Sequence, residues 1–322
     1  MRDPTLNCRW CRIIAEELAA AGVRRAVLCP GSRDVPLLWA FDRQRRWRCT
    51  TAVDERAAAF FALGLIRTTH RPVAVAVTSG SAVGNLAPAT MEAAHAGLPL
   101  ILVTADRPAR LHGREAPQTT PQTGLLRDHA GILDLGRAGD GENALRRLRT
   151  RLAQALTGLR RPLQINVPLD EPLVPLRDPS WTPAPVRPSL LNRACGPRHS
   201  ATPSAAAPRL PRLPSPCRGL IVAGWRCPLT PGQVARLARH TGYPVVADAL
   251  SGLRHPGLPH LVCRGDDLLA GPLSTARPDL ILRLGPAPVA RPAWSWLARQ
   301  ACPVVRLDDH PVTGEIGRAS CR

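Results

Sequence analysis

The chain has 322 residues, of which 44% are hydrophobic, so it can bury the cores of two ordinary domains and is not a disordered polypeptide. Its longest apolar stretches are only of strand length, which argues against a membrane partner, and its first residues lack the pattern of a secretory signal. We therefore expect a cytoplasmic protein.

A formal net charge of +19 would ordinarily suggest a nucleic-acid partner. All 43 basic residues are arginine, however, and they are scattered in pairs such as Arg24 and Arg25. The chain also has few aromatic side chains that could stack on bases. We interpret the charge as the signature of a GC-rich genome and predict that the chain binds no nucleic acid.

Helical and strand patterns alternate along the first 175 residues. The apolar spacing predicts a helix over 8–21, a strand over 25–29, a helix over 54–67, a strand over 72–78, a helix over 82–96, a strand over 98–104, a helix over 143–159 and a strand over 163–167. Asp54 is placed to cap the second helix. This alternation predicts an α/β fold with a doubly wound, mostly parallel sheet, and we assign residues 1–175 to this first domain.

The pattern changes at residue 176. Residues 176–217 are rich in proline and have no hydrophobic period, which predicts a linker. Alternation resumes with strands over 219–223, 244–247, 279–284 and 303–307 and a helix over 231–241. We predict a second, smaller Rossmann-like α/β domain over residues 218–314, which is small for such a domain and therefore incomplete.

The last eight residues, 315–322, back-translate to a common sequencing-adapter read. We expect this tail to be non-native, and we expect the natural sequence to continue past Gly314.

Polar residues cluster where the predicted strands end. Residues 30–33, 54–56, 78–86 and 104–122 follow four strands or open the next helix. Because the carboxyl ends of parallel strands meet at one edge of a sheet, these loops should line one crevice. Taken alone, Glu55 is interpreted as a carboxylate at a helix N-terminus, where the helix dipole favours it.

The loop sequences taken together resemble a known family. Those that carry the resemblance are Pro30-Gly-Ser-Arg33, Asp54-Glu-Arg56, Thr78-Ser-Gly-Ser81, Thr104-Ala-Asp-Arg-Pro108 and Ile165-Asn-Val-Pro168. They are similar to the pyrimidine-binding (PYR) domain of the thiamine-diphosphate-dependent 2-succinyl-5-enolpyruvyl-6-hydroxy-3-cyclohexene-1-carboxylate synthases. Residues 247–254 and 277–283 resemble the central domain of the same family.

The resemblance implies a transferase that decarboxylates 2-oxoglutarate and adds the resulting succinyl-semialdehyde carbanion to isochorismate, in menaquinone or phylloquinone biosynthesis. It implies thiamine diphosphate with Mg²⁺ or Mn²⁺ as cofactors, and a homo-oligomer (dimer or tetramer) whose active site lies between subunits. In this family the diphosphate and the metal are bound by a third, C-terminal domain. We therefore expect no metal ligand in this chain, which would be an inactive fragment when alone.

The resemblance also implies roles for individual residues. Glu55 would be catalytic, since it would hydrogen-bond the ring nitrogen of the cofactor's aminopyrimidine. The residues implied in cofactor binding are Glu55, Thr78, Ser79, Gly80, Ser81, Asn85 and Gln118. Those implied in substrate binding are Ser32, Arg33, Arg107, Gln118 and Arg291.

One departure, one rejected motif and two alternatives accompany this interpretation. Pro117 replaces an asparagine that is usual in the family, which removes a side-chain donor and stiffens the loop. Gly139-Asp140-Gly141 with Asn166 imitates a magnesium motif, but Asp140 precedes a predicted helix and Asn166 lies inside a predicted strand, so we reject it.

The alternatives are another thiamine-diphosphate decarboxylase or ligase similar to acetohydroxyacid synthase, and a non-catalytic binding protein derived from this fold.

Overall fold

The computed structural model describes residues 5–173, 217–308 and 320–321. The chain divides into two compact units, Met1–Arg198 and His199–Arg322. The linker predicted over 176–217 lies outside the described residues except for Cys217, and so does most of the tail predicted over 315–322. The domain boundaries therefore stay a prediction.

The first unit alternates strands and helices, as the sequence pattern predicts. Its elements are α1 (Thr5–Ala20), β1 (Arg25–Leu28), α2 (Val35–Asp42), β2 (Arg48–Thr51), α3 (Glu55–Thr69), β3 (Val73–Val77), α4 (Ser81–Gly84), α5 (Ala87–Ala96), β4 (Leu100–Asp106), α6 (Gln122–Leu125), β5 (Gly131–Asp134), α7 (Glu142–Leu156) and β6 (Leu163–Pro168). The six strands form one parallel sheet in the order β2-β1-β3-β4-β6-β5.

Hydrophobic cores lie on both faces of this sheet. One core packs α1, α2 and α7 against alternate strand residues, of which Ala76 and Val103 are examples. The other packs α3, α4 and α5 against the intervening residues, including Val75 and Leu102. Because both faces are covered, the inner strands are apolar throughout, as every residue of β3 shows. The predicted doubly wound α/β fold is confirmed.

One predicted helix differs from the structure. The pattern over 82–96 predicts a single helix, whereas the chain forms α4 and then α5, with Pro88 in the first turn of α5. Proline fits the first turn of a helix but lacks the N–H group that a continuous helix would need there. The break ends α4 after one turn, directly behind the loop 78–81.

The second unit also has a parallel sheet between helices. Its elements are β7 (Gly219–Ala223), α8 (Pro231–Thr241), β8 (Val245–Ala247), α9 (Gly265–Ala270), β9 (Leu280–Leu284), α10 (Arg291–Ala298), β10 (Val304–Leu307) and β11 (Ser320–Cys321). The strand order is β11-β10-β9-β7-β8. Separate cores cover the two faces, with Val234 of α8 in one and Trp296 of α10 in the other. Within the described ranges, no helix is long and apolar enough to span a bilayer.

Candidate active site

The predicted loops lie at a reversal in the strand order of the first unit. Strands β1 and β3 are neighbours, yet α2 follows β1 on one face of the sheet and α4 follows β3 on the other. Where connections leave adjacent strands toward opposite faces, a crevice opens at the carboxyl ends of those strands. The loops that begin at Pro30 and Thr78 border this crevice.

Glu55 is placed by the start of α3. Asp54 caps the helix, since its Oδ1 accepts a hydrogen bond from the N–H of Ala57 at 2.7 Å. The half-buried Glu55 is the first helical residue, and its Oε2 accepts a hydrogen bond from Nδ2 of Asn85 at 3.0 Å. The structure thus brings together the predicted catalytic carboxylate and a predicted cofactor residue from a different loop.

The loop after β3 is in tight contact with two other loops. A Cβ on Gly31 would lie 2.6 Å from the Cβ of Thr78, so the loop after β1 comes this close only because residue 31 is glycine. Gly80 has φ +85°, and a Cβ there would lie 3.2 Å from the backbone oxygen of Gln118. Gln118 itself has φ +53°. The predicted cofactor residues Thr78, Gly80 and Gln118 therefore come together, while Ser81 is exposed beside them.

Two of the predicted substrate arginines also lie close together. Nη1 of Arg107 donates to Oγ of the buried Ser79 at 3.1 Å. Arg33 is buried and donates to the carbonyl of Leu169 at 2.9 Å and to Glu171 at 3.1 Å. Burial, followed by the positive charge of Arg107, lowers the pKa of Arg33. Glu171, the partner of Arg33, lines the same cavity as Arg107. Guanidinium groups are suited to bind carboxylates.

A cavity of about 540 Å³ adjoins Arg107 at the carboxyl ends of β4, β5 and β6. Arg110 and Arg137 also line it, together with apolar side chains such as Pro108 and Ala138. The volume is within the range of small-molecule sites. Its arginines are offset in part by carboxylates, since Arg110 pairs with Asp170 at 2.6 Å.

The sequence reasoning missed Asp34. This residue is completely buried, and its Oδ1 accepts a hydrogen bond from the N–H of Gly31 at 2.8 Å. Burial raises the pKa of Asp34 to about 7. The bond closes the turn that presents Ser32 and Arg33. A carboxylate directly after Gly-Ser-Arg is the sequence signal that could have identified it.

A buried polar network behind the crevice was also missed. Gln122, Gln164 and Asn166 are at most 1% exposed, and they bond to one another and to Thr104. Two amide residues in the otherwise apolar strand β6 were a visible signal, since buried amides need hydrogen-bond partners.

Comparisons with known proteins identify similar sequences. The family model described as thiamine pyrophosphate enzyme, N-terminal TPP binding domain, matches residues 9–125. The curated 2-succinyl-5-enolpyruvyl-6-hydroxy-3-cyclohexene-1-carboxylate synthase of Myxococcus xanthus is 36% identical over an alignment of 323 positions. The alignment covers 95% of this chain and 55% of the relative. The synthase of Halobacterium salinarum is 38% identical, with 96% and 56% covered. That of Chloroflexus aurantiacus is 38% identical, with 89% and 50% covered.

The chain is homologous to part of these synthases. It spans about half the length of the curated relatives it matches. The resemblance that the loop motifs predicted is thereby confirmed, and the matched family model contains every predicted site residue except Arg291.

Two predicted substrate residues are not brought into these contacts. Ser32 is exposed, and Arg291 is the first residue of α10 in the second unit. Their roles in substrate binding stay predictions.

The described residues do not fit a divalent metal. Across 5–173 and 217–308, no three His, Cys, Asp or Glu side chains are grouped as metal ligands. The rejected motif residues are far from suitable: Asp140 is exposed and paired with Arg9, whereas Asn166 is buried in β6 with its amide bonded to Asp106. No step involving a metal is therefore assigned to these residues.

Proposed function

We propose that this chain supplies the pyrimidine-binding and central parts of a thiamine-diphosphate-dependent transferase. The proposed reaction decarboxylates 2-oxoglutarate and adds the product to isochorismate, giving 2-succinyl-5-enolpyruvyl-6-hydroxy-3-cyclohexene-1-carboxylate, in menaquinone or phylloquinone biosynthesis in the cytoplasm. The observation that carries the proposal is the hydrogen bond between Glu55 and Asn85. Both residues lie in the part of the chain that matches the thiamine pyrophosphate enzyme family model.

Glu55 is the proposed catalytic residue. Thiamine diphosphate, when bound, supplies the electron sink for decarboxylating a 2-oxo acid. Asn85 donates to Oε2 of Glu55 and so orients the carboxyl, while Oε1 has no hydrogen bond to any described residue. Oε1 would then hold a proton at the aminopyrimidine ring nitrogen. Glu55 lies in the first turn of α3, a position that the helix dipole favours for a carboxylate.

The neighbouring arginines fit the charge of the substrates. 2-Oxoglutarate and isochorismate each carry two carboxylates, and Arg33 and Arg107 provide two guanidinium groups, since Glu171, the partner of Arg33, lines the same cavity as Arg107. Arg107 is also bonded to Ser79 of the proposed cofactor loop, so a substrate carboxylate on Arg107 would lie beside the cofactor. This arrangement supports a dianionic substrate over pyruvate, the substrate class of the acetohydroxyacid-synthase-like alternative.

We also propose that the chain acts within a homo-oligomer, a dimer or tetramer, with the active site shared between subunits. Support comes from exposed apolar side chains close to Glu55, namely Phe60 and Phe61 on α3 and Val53 just before that helix. The proposed Mg²⁺ or Mn²⁺ would be bound by residues other than those described.

Calorimetric titration with thiamine tests the proposal, because thiamine carries the aminopyrimidine ring and needs neither a diphosphate site nor a metal. Glu55→Gln should weaken thiamine binding about tenfold or more, because a hydrogen bond to a charged group is lost. Glu92→Gln changes an exposed carboxylate on α5 and should leave binding unchanged. Equal affinities for the two variants would contradict the role of Glu55. Tighter binding of pyruvate than of 2-oxoglutarate to the chain would favour the acetohydroxyacid-synthase-like alternative.

A further inference from the structure

Gln122 occupies an unusual position for a polar side chain. It is the first residue of α6 and is 1% exposed. Its Nε2 donates to the carbonyl of Ala105 at 2.9 Å and to Oδ1 of Asn166 at 2.8 Å. Its Oε1 accepts from the N–H of Gly80 at 3.2 Å. Both donor hydrogens and one acceptor site are thus used, so this amide is specifically bonded and does more than fill space.

These bonds close a ring that passes through the candidate site. From Gln122 the ring runs through Asn166, whose Nδ2 donates to Oδ2 of Asp106 at 2.9 Å. Oδ1 of Asp106 accepts from the N–H of Arg107 at 2.7 Å. Nη1 of Arg107 donates to Ser79, and the next residue, Gly80, donates back to Gln122. The ring therefore joins the loop after β3 to the loop after β4 at two points.

A second contact depends on the same amide. Gly80, bonded to Gln122, is in close contact with the backbone of Gln118, which has a positive φ. A residue with a side chain rarely adopts this conformation unless its surroundings hold it there. Gln122 restrains Gly80, and Gly80 in turn packs against Gln118, so the backbone of Gln118 is supported indirectly.

We propose that Gln122 is a positioning residue that fixes the loop of Ser79 and Gly80 relative to Arg107 and Gln118. Its importance for catalysis rests on the proposed function, in which the first loop binds the cofactor and Arg107 binds substrate. The mechanical coupling of the two loops does not depend on that function.

Hydrogen exchange measured by mass spectrometry on the full chain tests the coupling. Gln122→Leu keeps a side chain of similar size but removes all three bonds. Peptides covering 78–83 and 115–119 should both exchange about tenfold faster or more, while peptides from β3 and β4 stay protected. Gln154→Leu, on the exposed face of α7, should change neither loop.

Gln122→Glu distinguishes hydrogen bonding from packing. A protonated carboxyl has one donor and one acceptor and so imitates part of the amide, whereas a carboxylate cannot donate to Asn166. Burial beside Asp106 should raise the pKa of the introduced carboxyl. After correction for intrinsic rates, loop protection should therefore recover at pH 5 and be lost at pH 8. A role in packing alone predicts no such recovery.

The outcomes separate the two proposals. Unchanged loop exchange in both Gln122 variants, or faster exchange in only one loop, would overturn the positioning role. If Gln122→Leu speeds exchange throughout the first unit, the Gln122→Glu variant provides the test. Recovery of loop protection at pH 5 then supports the positioning role, and its absence contradicts that role. Failure of the wild-type chain to bind thiamine or 2-oxoglutarate would instead count against the proposed function, and would leave the exchange result valid.

Discussion

At the residue scale, Asp34 makes the stability of the folded chain depend on pH. Its carboxyl is completely buried, and Oδ2 has no hydrogen bond to any of the described residues. Burial raises its pKa to about 7 from a usual value near 4. A group that binds its proton more tightly in the folded state contributes stability below the unfolded pKa, and that contribution is lost as pH rises through the folded pKa. The relevant window is therefore about pH 4 to 7.

We predict that Asp34→Asn makes the chain more stable than wild type, with an advantage that grows as pH rises. An amide still accepts the hydrogen bond from Gly31 but does not ionise. Between pH 5 and pH 8 the difference in unfolding free energy should increase by about 2–3 kcal/mol. Urea denaturation at both pH values measures it. Asp128→Asn, at an exposed position, should show no such trend. An advantage that shrinks with rising pH would contradict the buried carboxyl as its source.

At the element scale, the apolar pattern predicted the buried strand β3 and missed the exposed strand β2. Strand β3 is buried at every residue, so its apolar run was visible. Strand β2 is exposed at every residue and contains Arg48, and it is a strand only because it pairs with β1. The site shows the same division. Glu55 and Arg107 belong to local motifs, whereas the role of Gln122 arises from contacts with residues up to 44 positions away.

Helices α1 and α7 are joined by a buried ionic cluster that offers a test of packing. Arg149 donates to Glu16 and to Glu17 at 2.6 Å each, and both carboxylates are nearly inaccessible to solvent. Arg149→Ala should lower the unfolding free energy by about 3 kcal/mol, because it removes two charged hydrogen bonds from buried carboxylates. Urea denaturation at neutral pH measures the change.

Arg146→Ala is the matched control on the same helix. Arg146 pairs with the exposed Glu142 at 3.8 Å, and such surface pairs contribute little. A loss of stability in Arg149→Ala as small as that in Arg146→Ala would show that the second partner of Glu16, Arg12 at 2.8 Å, is sufficient.

At the scale of the whole molecule, an exposed apolar surface near α3 indicates where subunits of an oligomer could meet. The sequence contains only three phenylalanines, and two of them, Phe60 and Phe61, are adjacent and 43% and 49% exposed. Met91 on the neighbouring helix α5 is 43% exposed. Single exposed apolar residues are ordinary, but grouped aromatic residues are typical of a surface that a partner covers.

We predict that Phe61→Asp converts the proposed homo-oligomer into a monomer, because a charge in a buried apolar interface is strongly unfavourable. Light scattering after size-exclusion chromatography measures the mass. Leu250→Asp, at a 58% exposed position in the second unit, should leave the mass unchanged. Phe61 lies about 1.7 turns beyond Glu55 on α3, so a site shared between subunits predicts that monomerisation also weakens thiamine binding. A wild-type chain that is monomeric throughout would contradict assembly of this chain, and a monomeric Phe61→Asp variant with undiminished cofactor affinity would place the site within one subunit.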